Sequence, residues 1–311
     1  PQQTHQVCMS LMTDKHRKMF EERNEVDFGF GVDGLARFRV NVFRQRGAVS
    51  AAIRRIPEEI PHFSKLGLPQ IVQDLTNKAN GLILVTGATG SGKSTTIAAL
   101  LDKVNEEKQA HIVTIEDPIE YVHSHKRCIV NQREVGLDTE SFDVAMKYLL
   151  RQDPDYCLVG EMRDRETAEI ALKVSETGHL VFATLHTNSA PDTISRVVAM
   201  FDEGRKEITL NQLSTVLQCV LCQQLLPGLD GKLVLAYELL IPTPGIRALI
   251  REGKLYQIHG MMQVGQQTTG MITMNQCLMN LIIRRKIDMK VGFEASSDPE
   301  DLNQMLRKAG L

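Results

Sequence analysis

The feature that most constrains this chain is the stretch at residues 81–96, which reads GLILVTGATGSGKSTT. It starts with a short apolar run, typical of a buried parallel strand. The loop that follows fits G-x-x-x-x-G-K-[ST], in which glycines let backbone N–H groups surround a polyphosphate. A helix should come next, with its positive N-terminus directed at the phosphates. The predicted phosphate-binding residues are Gly87, Ala88, Thr89, Gly90, Ser91, Gly92, Lys93, Ser94 and Thr95.

Two side chains of this loop have specific predicted partners. Lys93 is placed for the β- and γ-phosphates, and Ser94 for a Mg²⁺ ion. The alternative is that the glycines form an ordinary turn. The position of the loop between a strand and a helix favours phosphate binding.

Composition limits the class of protein. The chain has 311 residues and a formal net charge of −2, which suits a soluble protein of about two domains. No run of about 18 apolar residues is present, so no membrane span is predicted, and no signal peptide is recognised. Because the sequence begins at Pro1 rather than Met, we expect residues to be missing from the amino end. The near-neutral charge predicts no general attraction to nucleic acid.

The six cysteines predict buried, reduced thiols rather than a zinc site. Only Cys219 and Cys222 are closely spaced, and a zinc ribbon needs a second such pair. They fall in an apolar run at residues 208–226 that we interpret as a helix, where a spacing of three puts both thiols on one face. Buried reduced thiols are typical of cytosolic proteins.

Residues 1–62 are predicted to form a small α+β domain. A charged helix at residues 13–22 has Thr13 as its N-cap. Strands are predicted at residues 26–30, 36–46 and 49–56, with a hairpin turn at Asp33-Gly34. The prolines at residues 57 and 61 predict a linker.

Residues 63–311 alternate between strands and helices, which is typical of an α/β domain. Strands are predicted at residues 82–86, 111–115, 156–159, 180–184 and 233–240. Helices are predicted at residues 142–150, 167–175 and 208–226, and throughout the chain after Pro242.

Polar groups follow three of these strands, where a doubly wound sheet places its ligand site. Glu116, Asp117 and Glu120 end the first and could hold Mg²⁺ through water or orient an attacking water. The alternative is a solvated acidic turn. Glu161 ends the second strand, which resembles a Walker B strand, and would bind Mg²⁺.

The third strand has a histidine at each end, His179 and His186. Either could sense the γ-phosphate and relay its presence to a neighbour. The alternative is that each is an ordinary packed histidine, which is the more common role of a single histidine. The pair beside a P-loop strand favours a functional interpretation.

These motifs together resemble the type II/IV secretion ATPase superfamily, and within it the type IV pilus retraction ATPases. The resemblance covers nearly the whole chain. It is carried by four boxes, namely Walker A in the glycine loop, an Asp box, Walker B and a His box, and by the wording of six segments. They read TIEDPIE from Thr114, NQREV from Asn131, VGEMRD from Val159, ETGHLV from Glu176, GIRALIRE from Gly245 and GMITM from Gly270.

The resemblance implies a RecA-like P-loop ATPase domain at residues 63–311, ending in helices, after an incomplete PAS-like α+β domain at residues 1–62. It implies an ATP- and Mg²⁺-dependent homohexamer at the cytoplasmic face of the inner membrane. Such a ring would be peripheral to the membrane, bind an inner-membrane pilus platform protein and bind no nucleic acid. Glu116 would activate water, with Glu161 as the Walker B residue. The absence of a four-cysteine zinc module favours the retraction branch over the assembly and secretion ATPases.

Arg39 and Arg54 resemble two arginines that the family's amino-terminal domain extends toward a nucleotide in the ring. An arginine from a neighbouring subunit can supply about 10³–10⁵ in rate during phosphoryl transfer. The alternative is a solvated basic strand face, because Arg37, Arg44, Arg46 and Arg55 lie close in sequence.

The predicted function is therefore an ATPase motor that powers pilus retraction. Within the class, the alternatives are an accessory PilU-like paralogue or an ATPase for pilus assembly or type II secretion. Outside it, a RecA-like DNA motor would show ATPase activity stimulated by DNA. A scaffold subunit without turnover is disfavoured by the complete set Lys93, Ser94, Glu116 and Glu161.

Overall fold

The protein is described here by a computed structural model that covers residues 2–32, 36–57 and 59–311, without the side chains at 265–268. Two β-sheets organise these residues, one with three strands and one with seven. The predicted hairpin turn at Asp33-Gly34 lies outside the described residues.

The first sheet belongs to the amino-terminal unit and is antiparallel, in the order β1-β2-β3. Val40 and Val42 on β2 are fully buried against the helices, as their alternation with polar residues predicts. Thr13 caps α2, since its Oγ1 accepts a hydrogen bond from the backbone N–H of His16 at 3.3 Å. The first helix has no counterpart in the sequence prediction. The elements are α1 (Gln2–Leu11), α2 (Asp14–Arg23), β1 (Glu25–Val32), β2 (Ala36–Gln45) and β3 (Ala48–Ile56).

The second sheet has the order β10-β9-β4-β8-β7-β5-β6, and its pairs are parallel except for β10 with β9. Because β4 lies inside the sheet, the loop after it opens near the ends of several parallel strands. The strands are β4 (Gly81–Thr86), β5 (His111–Glu116), β6 (Ile129–Glu134), β7 (Tyr156–Val159), β8 (Leu180–Leu185), β9 (Leu217–Pro227) and β10 (Leu233–Leu240).

Helices cover both faces of this sheet, which is why β4 is apolar throughout. Leu82 and Leu84 face one core, whereas Ile83 and Val85 face the other. Before the last strand the helices are α3 (Gln70–Asp74), α4 (Lys93–Glu107), α5 (Phe142–Leu149), α6 (Arg165–Glu176), α7 (Ala190–Ala199) and α8 (Lys206–Val216). After it come α9 (Pro244–Arg251), α10 (Ile258–Thr269), α11 (Met274–Ile283), α12 (Met289–Ala295) and α13 (Pro299–Lys308).

The predicted helix at residues 208–226 is wrong in its second half. α8 ends at Val216 and β9 begins at Leu217. Side chains alternate across a strand, so Cys219 and Cys222 face opposite cores rather than sharing one face. A strand buried on both faces reads as a continuous apolar run, and periodicity does not separate it from a buried helix. Both thiols are free and buried, as predicted.

Strand β6 is also absent from the sequence prediction. It lies at the edge of the sheet and pairs with β5 alone. Its segment, Ile-Val-Asn-Gln-Arg-Glu, is mostly polar and carries little of the apolar signal that marks the other parallel strands. Among the described residues, no helix combines the length and apolar character needed to cross a membrane.

Candidate active site

The phosphate-binding motif joins β4 to α4 in the conformation that its glycines predict. Gly87, Gly90 and Gly92 have φ angles of 134°, 82° and 91°, a region that side chains rarely adopt. A Cβ atom at Gly87 would also lie 2.3 Å from the carbonyl oxygen of Gln223 on β9. The outer residues of the loop, Ala88 to Gly90, are exposed. The loop is therefore narrow at its base and open at its tip.

The ammonium group of Lys93 is held against the inside of this loop. Its Nζ donates hydrogen bonds to the carbonyl oxygens of Gly87, at 2.7 Å, and Ala88, at 3.0 Å. Burial lowers the pKa of Lys93, whereas the charges of Glu120 and Glu161 oppose that shift. The charges of both carboxylates thus favour the protonated form of Lys93.

Two polar atoms around the loop, Ser91 Oγ and Gln223 Oε1, are buried without a hydrogen-bond partner among the described residues. Gln223 is fixed by its other end, since its Nε2 donates to Thr96 Oγ1 at 2.9 Å. Each unpaired buried polar atom costs about 1–3 kcal/mol, so their clustering fits a site for a strongly polar ligand such as a phosphate chain.

Glu116 ends β5 and is nearly buried, with 8% of its surface exposed. Thr114 Oγ1 donates to its Oε1 at 2.6 Å, and Gln132 Nε2 donates to the same oxygen at 3.2 Å. Burial raises the pKa of Glu116, although these two hydrogen bonds and one from the backbone of Glu120 act in the opposite direction. Both side-chain donors bind Oε1, so Oε2, which takes no side-chain hydrogen bond among the described residues, is the better placed oxygen to accept a proton or orient a water.

Glu161 follows β7 and contacts two basic side chains. Arg163 Nη2 lies 2.7 Å from its Oε2, and His186 Nε2 lies 3.1 Å from its Oε1. Burial alone would raise the pKa of Glu161, but Arg163 and His186 outweigh it, so the pKa lies below its usual range. The sequence prediction thus placed both Glu161 and His186 at the nucleotide site, but it did not predict the contact between Glu161 and Arg163.

A magnesium site formed by protein side chains alone is absent from the described residues, which contain no group of three His, Cys, Asp or Glu suited to a metal. Mg²⁺ at nucleotide sites keeps several waters and takes one or two protein ligands besides phosphate oxygens. The hydroxyl of Ser94 and the ionised carboxylate of Glu161 are oxygen donors of the preferred kind. The predicted pair therefore fits the ion.

The structure does not bring His179 to the loop. His179 precedes β8, and its backbone oxygen accepts a hydrogen bond from Gly81 N at 3.1 Å, at the start of β4. The loop leaves the other end of β4, so His179 lies at the opposite edge of the sheet. Its Nδ1 lies 3.1 Å from the carbonyl oxygen of Val174. His186, at the far end of the same strand, is at the site.

Arg39 and Arg54 lie in the amino-terminal sheet, are exposed, and face each other in the register of β2 and β3. Within residues 2–32, 36–57 and 59–311, neither has an ion-pair or hydrogen-bond partner. Like charges placed directly opposite on an antiparallel pair are destabilising. An anion from outside the chain would relieve that repulsion.

Gln132 and Tyr121 are part of the site that the sequence prediction missed. Gln132 Nε2 donates to the carbonyl oxygen of Tyr121 at 2.8 Å, and its Oε1 accepts from His123 N at 2.7 Å. The Tyr121 hydroxyl lies 2.9 Å from Thr95 Oγ1 in the phosphate-binding motif. The segment NQREV was recognised as family-like, which was the available signal. Without β6 as a strand, nothing showed that Gln132 faces Glu116.

A second buried carboxylate, Glu238 on β10, links the site to the last helices. Its Oε1 accepts from Ala190 N at 2.7 Å and its Oε2 from Met274 N at 3.1 Å. These are the first residues of α7 and α11. Burial raises the pKa of Glu238, and the two backbone hydrogen bonds oppose that shift. One side chain thus caps a helix just after His186 and a helix of the carboxyl-terminal part.

Comparison with known proteins gives relatives over almost the whole chain. Residues 3–303 match the model of the family described as type II/IV secretion system protein. A type IV pilus retraction ATPase, PilT, from Pseudomonas aeruginosa is 48% identical over 299 residues, covering 96% of this chain and 87% of that protein. The type IV pilus ATPase PilU from the same organism is 40% identical over 308 residues, covering 99% of this chain and 80% of that protein.

A solved structure is similar over the same length. The crystal structure of the pilus retraction motor PilT with bound ADP superimposes with a TM-score of 0.93 at 54% sequence identity. The superposition covers 98% of this chain and 87% of that one. At this identity the likeness extends beyond the fold to the sequence of the domain.

Proposed function

This chain belongs to the type II/IV secretion system protein family and, within it, to the pilus retraction ATPases of the PilT type, and we propose that it works as a Mg²⁺-dependent homohexameric motor that withdraws type IV pili. The proposal includes peripheral attachment to an inner-membrane platform protein at the cytoplasmic face. It also includes an amino-terminal PAS-like domain at residues 1–62 and a RecA-like domain at residues 63–311. We propose no nucleic-acid partner.

One observation carries the chemistry: Lys93 follows β4, Glu116 ends β5 and Glu161 follows β7, three parallel strands whose carboxyl ends lie at the same edge of one sheet. The charge of Glu161 acts to raise the pKa of Lys93, and Glu116 takes both of its side-chain hydrogen bonds on Oε1. Lys93 would exchange the carbonyl oxygens of Gly87 and Ala88 for phosphate oxygens. Bound Mg²⁺ would balance phosphate charge at the transition state.

Each side chain of the site has its own proposed role. Ser94 and Glu161 would hold the ion, and Glu116 would accept a proton from the attacking water. His186 holds Glu161 in place through the contact between Nε2 and Oε1 at 3.1 Å. Arg39 and Arg54 would reach a nucleotide bound by the neighbouring subunit. His179 has no part in the nucleotide site of its own chain.

The test has a biochemical and a cellular arm. Purified protein should hydrolyse ATP with Mg²⁺, and Lys93→Ala should abolish turnover because the loop loses its cation at the β- and γ-phosphates. In cells, deletion of the gene should leave long pili that fail to retract and should abolish twitching motility. Wild-type ATP hydrolysis in Lys93→Ala, or normal retraction after deletion, would contradict the proposal.

An accessory PilU-like role is the second candidate, and the 40% identity to PilU over 99% of the chain is the observation that favours it. The two roles differ in what the chain does alone. A main motor restores retraction in a strain that lacks every retraction ATPase, whereas an accessory subunit does so only together with the main motor.

A further inference from the structure

An ion pair joins the two sheets of the molecule outside the nucleotide site. Arg37 Nη2, on β2, lies 3.1 Å from Glu134 Oε2, at the end of β6. The Glu134 side chain is 4% exposed and the Arg37 side chain 32% exposed. The Nε of Arg37 is buried and has no partner in the described part of the chain. One hydrogen bond, rather than a two-pronged pair, therefore connects the amino-terminal unit to the ATPase sheet here.

The same carboxylate oxygen holds the loop that follows the proposed base. Glu134 Oε2 accepts a hydrogen bond from Ile119 N at 3.2 Å. Ile119 lies between Glu116 and Glu120, in the loop whose carboxylates act at the nucleotide site. A change in the position of Glu134 would consequently pull on this loop.

The loop is fastened to β6 at two further points. Gln132, two residues before Glu134 and thus on the same face of the strand, donates to Glu116 Oε1 at 3.2 Å. The backbone N–H of Val135 donates to the carbonyl oxygen of Glu116 at 2.9 Å. Arg37 brings the amino-terminal unit into this set of contacts through Glu134.

The ordinary interpretation is that the ion pair only holds two units together. Such a pair would affect stability and leave the proposed base undisturbed. Removal of Arg37 would, however, leave a buried carboxylate with the Ile119 N–H as its remaining partner. A buried charge that loses its counter-ion is strongly destabilised, so Glu134 would turn toward water and Ile119 would lose its hydrogen bond.

We propose that Glu134 is a positioning residue for Glu116 and that its contact with Arg37 makes the geometry of hydrolysis depend on the placement of the amino-terminal unit in the same chain. This inference rests on the proposed function, in which Glu116 activates water. The arginines proposed to act on a neighbouring subunit, Arg39 and Arg54, are separate residues.

Two glycines of β1 offer a test that changes no charge. A Cβ atom at Gly29 would lie 3.1 Å from Arg37 Nη2 and 3.2 Å from Glu134 Oε1. A Cβ atom at Gly31, on the same face of the same strand, would have nothing within 4 Å. Neither glycine has a left-handed φ angle. Gly29→Ala should therefore displace the side chains of the ion pair. Gly31→Ala is its matched control.

The experiment measures ATP turnover and nucleotide affinity separately in the full chain, together with hydrogen exchange of the backbone amides at residues 117–123. Arg37→Ala and Gly29→Ala should lower kcat at least tenfold with affinity within twofold, and should speed exchange at Ile119. Arg37→Lys, which keeps a donor, should recover most of the rate. Gly31→Ala and Arg23→Ala, which removes an exposed cation from α2, should match wild type.

Several outcomes would overturn the inference. One is wild-type turnover in Gly29→Ala and Arg37→Ala; if the arginine variant does not fold, the glycine variant alone decides. Another is a lost rate that returns when protein concentration is raised, because the defect then lies in ring assembly. Failure of the proposed function is distinct: the wild-type protein would then not hydrolyse ATP, or Glu116→Gln would hydrolyse it normally.

Discussion

Arg39 and Arg54 lie directly opposite each other on β2 and β3, two exposed cations in register. Two guanidinium groups so placed repel each other, and a bound anion would relieve that repulsion. In a ring of subunits, that anion would be the nucleotide of the neighbour.

We therefore predict that Arg39→Ala and Arg54→Ala each bind ATP normally and lose turnover by about 10³-fold or more, the usual worth of an arginine supplied in trans. Mixing either variant with Lys93→Ala subunits should restore part of the activity, because some sites then combine an intact loop with an intact arginine. Phosphate release across a range of mixing ratios is the measurement. Mixed rings that never recover turnover would place these arginines outside the neighbour's site.

Glu116→Gln tests the proposed base. The amide keeps the shape of the side chain but does not accept a proton, so we predict unchanged ATP affinity and turnover lowered by about 10²–10⁴-fold. Glu140→Gln, an exposed carboxylate without a contact at the site, is the control. Equal turnover in the Glu116 and Glu140 variants would remove Glu116 from this role.

The buried position of Glu116 also predicts a pH dependence. Because burial raises its pKa, turnover should fall on the acid side at a higher pH than an exposed glutamate would give. Thr114→Val removes a hydrogen bond that stabilises the ionised form, so the acid limb of the kcat profile should move to still higher pH. Thr209→Val in α8 removes a similar hydroxyl, which donates to the carbonyl oxygen of Arg205, and should leave the limb in place. A Thr114→Val profile equal to wild type would contradict the assignment.

Gly160 is predicted to affect turnover because it lies close to the backbone of Glu116. A Cβ atom at this position would lie 3.0 Å from Ile115 O and 3.2 Å from Glu116 Cα, both backbone atoms that yield little. Gly160→Ala should displace the end of β5 and lower kcat by about 10²-fold, the usual cost of a misplacement near 1 Å. Binding of ATP should survive, because the phosphate loop is separate. Gly260→Ala on α10, where a Cβ atom meets nothing within 4 Å, should have wild-type kcat.

The GIRALIRE segment allows a prediction about stability. Arg247 Nη1 donates to the carbonyl oxygens of Ser214, at 2.7 Å, and Thr215, at 2.9 Å, at the end of α8. Arg247→Ala should lower the free energy of unfolding by about 1.5–3 kcal/mol, as for hydrogen bonds to charged groups. Arg251→Ala on the same helix α9, where the side chain is exposed, should change it by less than about 0.5 kcal/mol. Urea unfolding measures both, and equal values would deny Arg247 this anchoring role.

The sequence predicted those parts of the site that follow from local pattern. A strand, a glycine loop and a helix in succession identify Lys93 and Ser94 without knowledge of the sheet. The position of His179 could not be read in this way, because which end of β8 meets the loop depends on the direction in which β8 pairs with β4. The sequence analysis predicted a functional role for both histidines because they flank one strand, but only His186 lies at the site.

The sequence analysis missed site residues on strands whose sequence shows no clear strand pattern. Gln132 and Glu134 lie on a polar edge strand, and Gln223 lies in an apolar run interpreted as helix. In each case the side chain acts through a partner that is distant in sequence, such as Thr96 for Gln223. Contacts of this kind are set by the order of strands, and a single sequence shows that order only through a known family.

The carboxylate of Glu238 affects how a movement at the nucleotide site would reach the rest of the domain. Its two oxygens accept hydrogen bonds from the first backbone N–H of α7 and of α11, so movement of either helix would leave one buried carboxylate oxygen without its donor, at a cost of about 1–3 kcal/mol. α7 begins four residues after His186, whose imidazole contacts the Walker B carboxylate. The starts of α7 and α11 are therefore joined through one side chain, so a displacement of α7 would reach the carboxyl-terminal helices through Glu238.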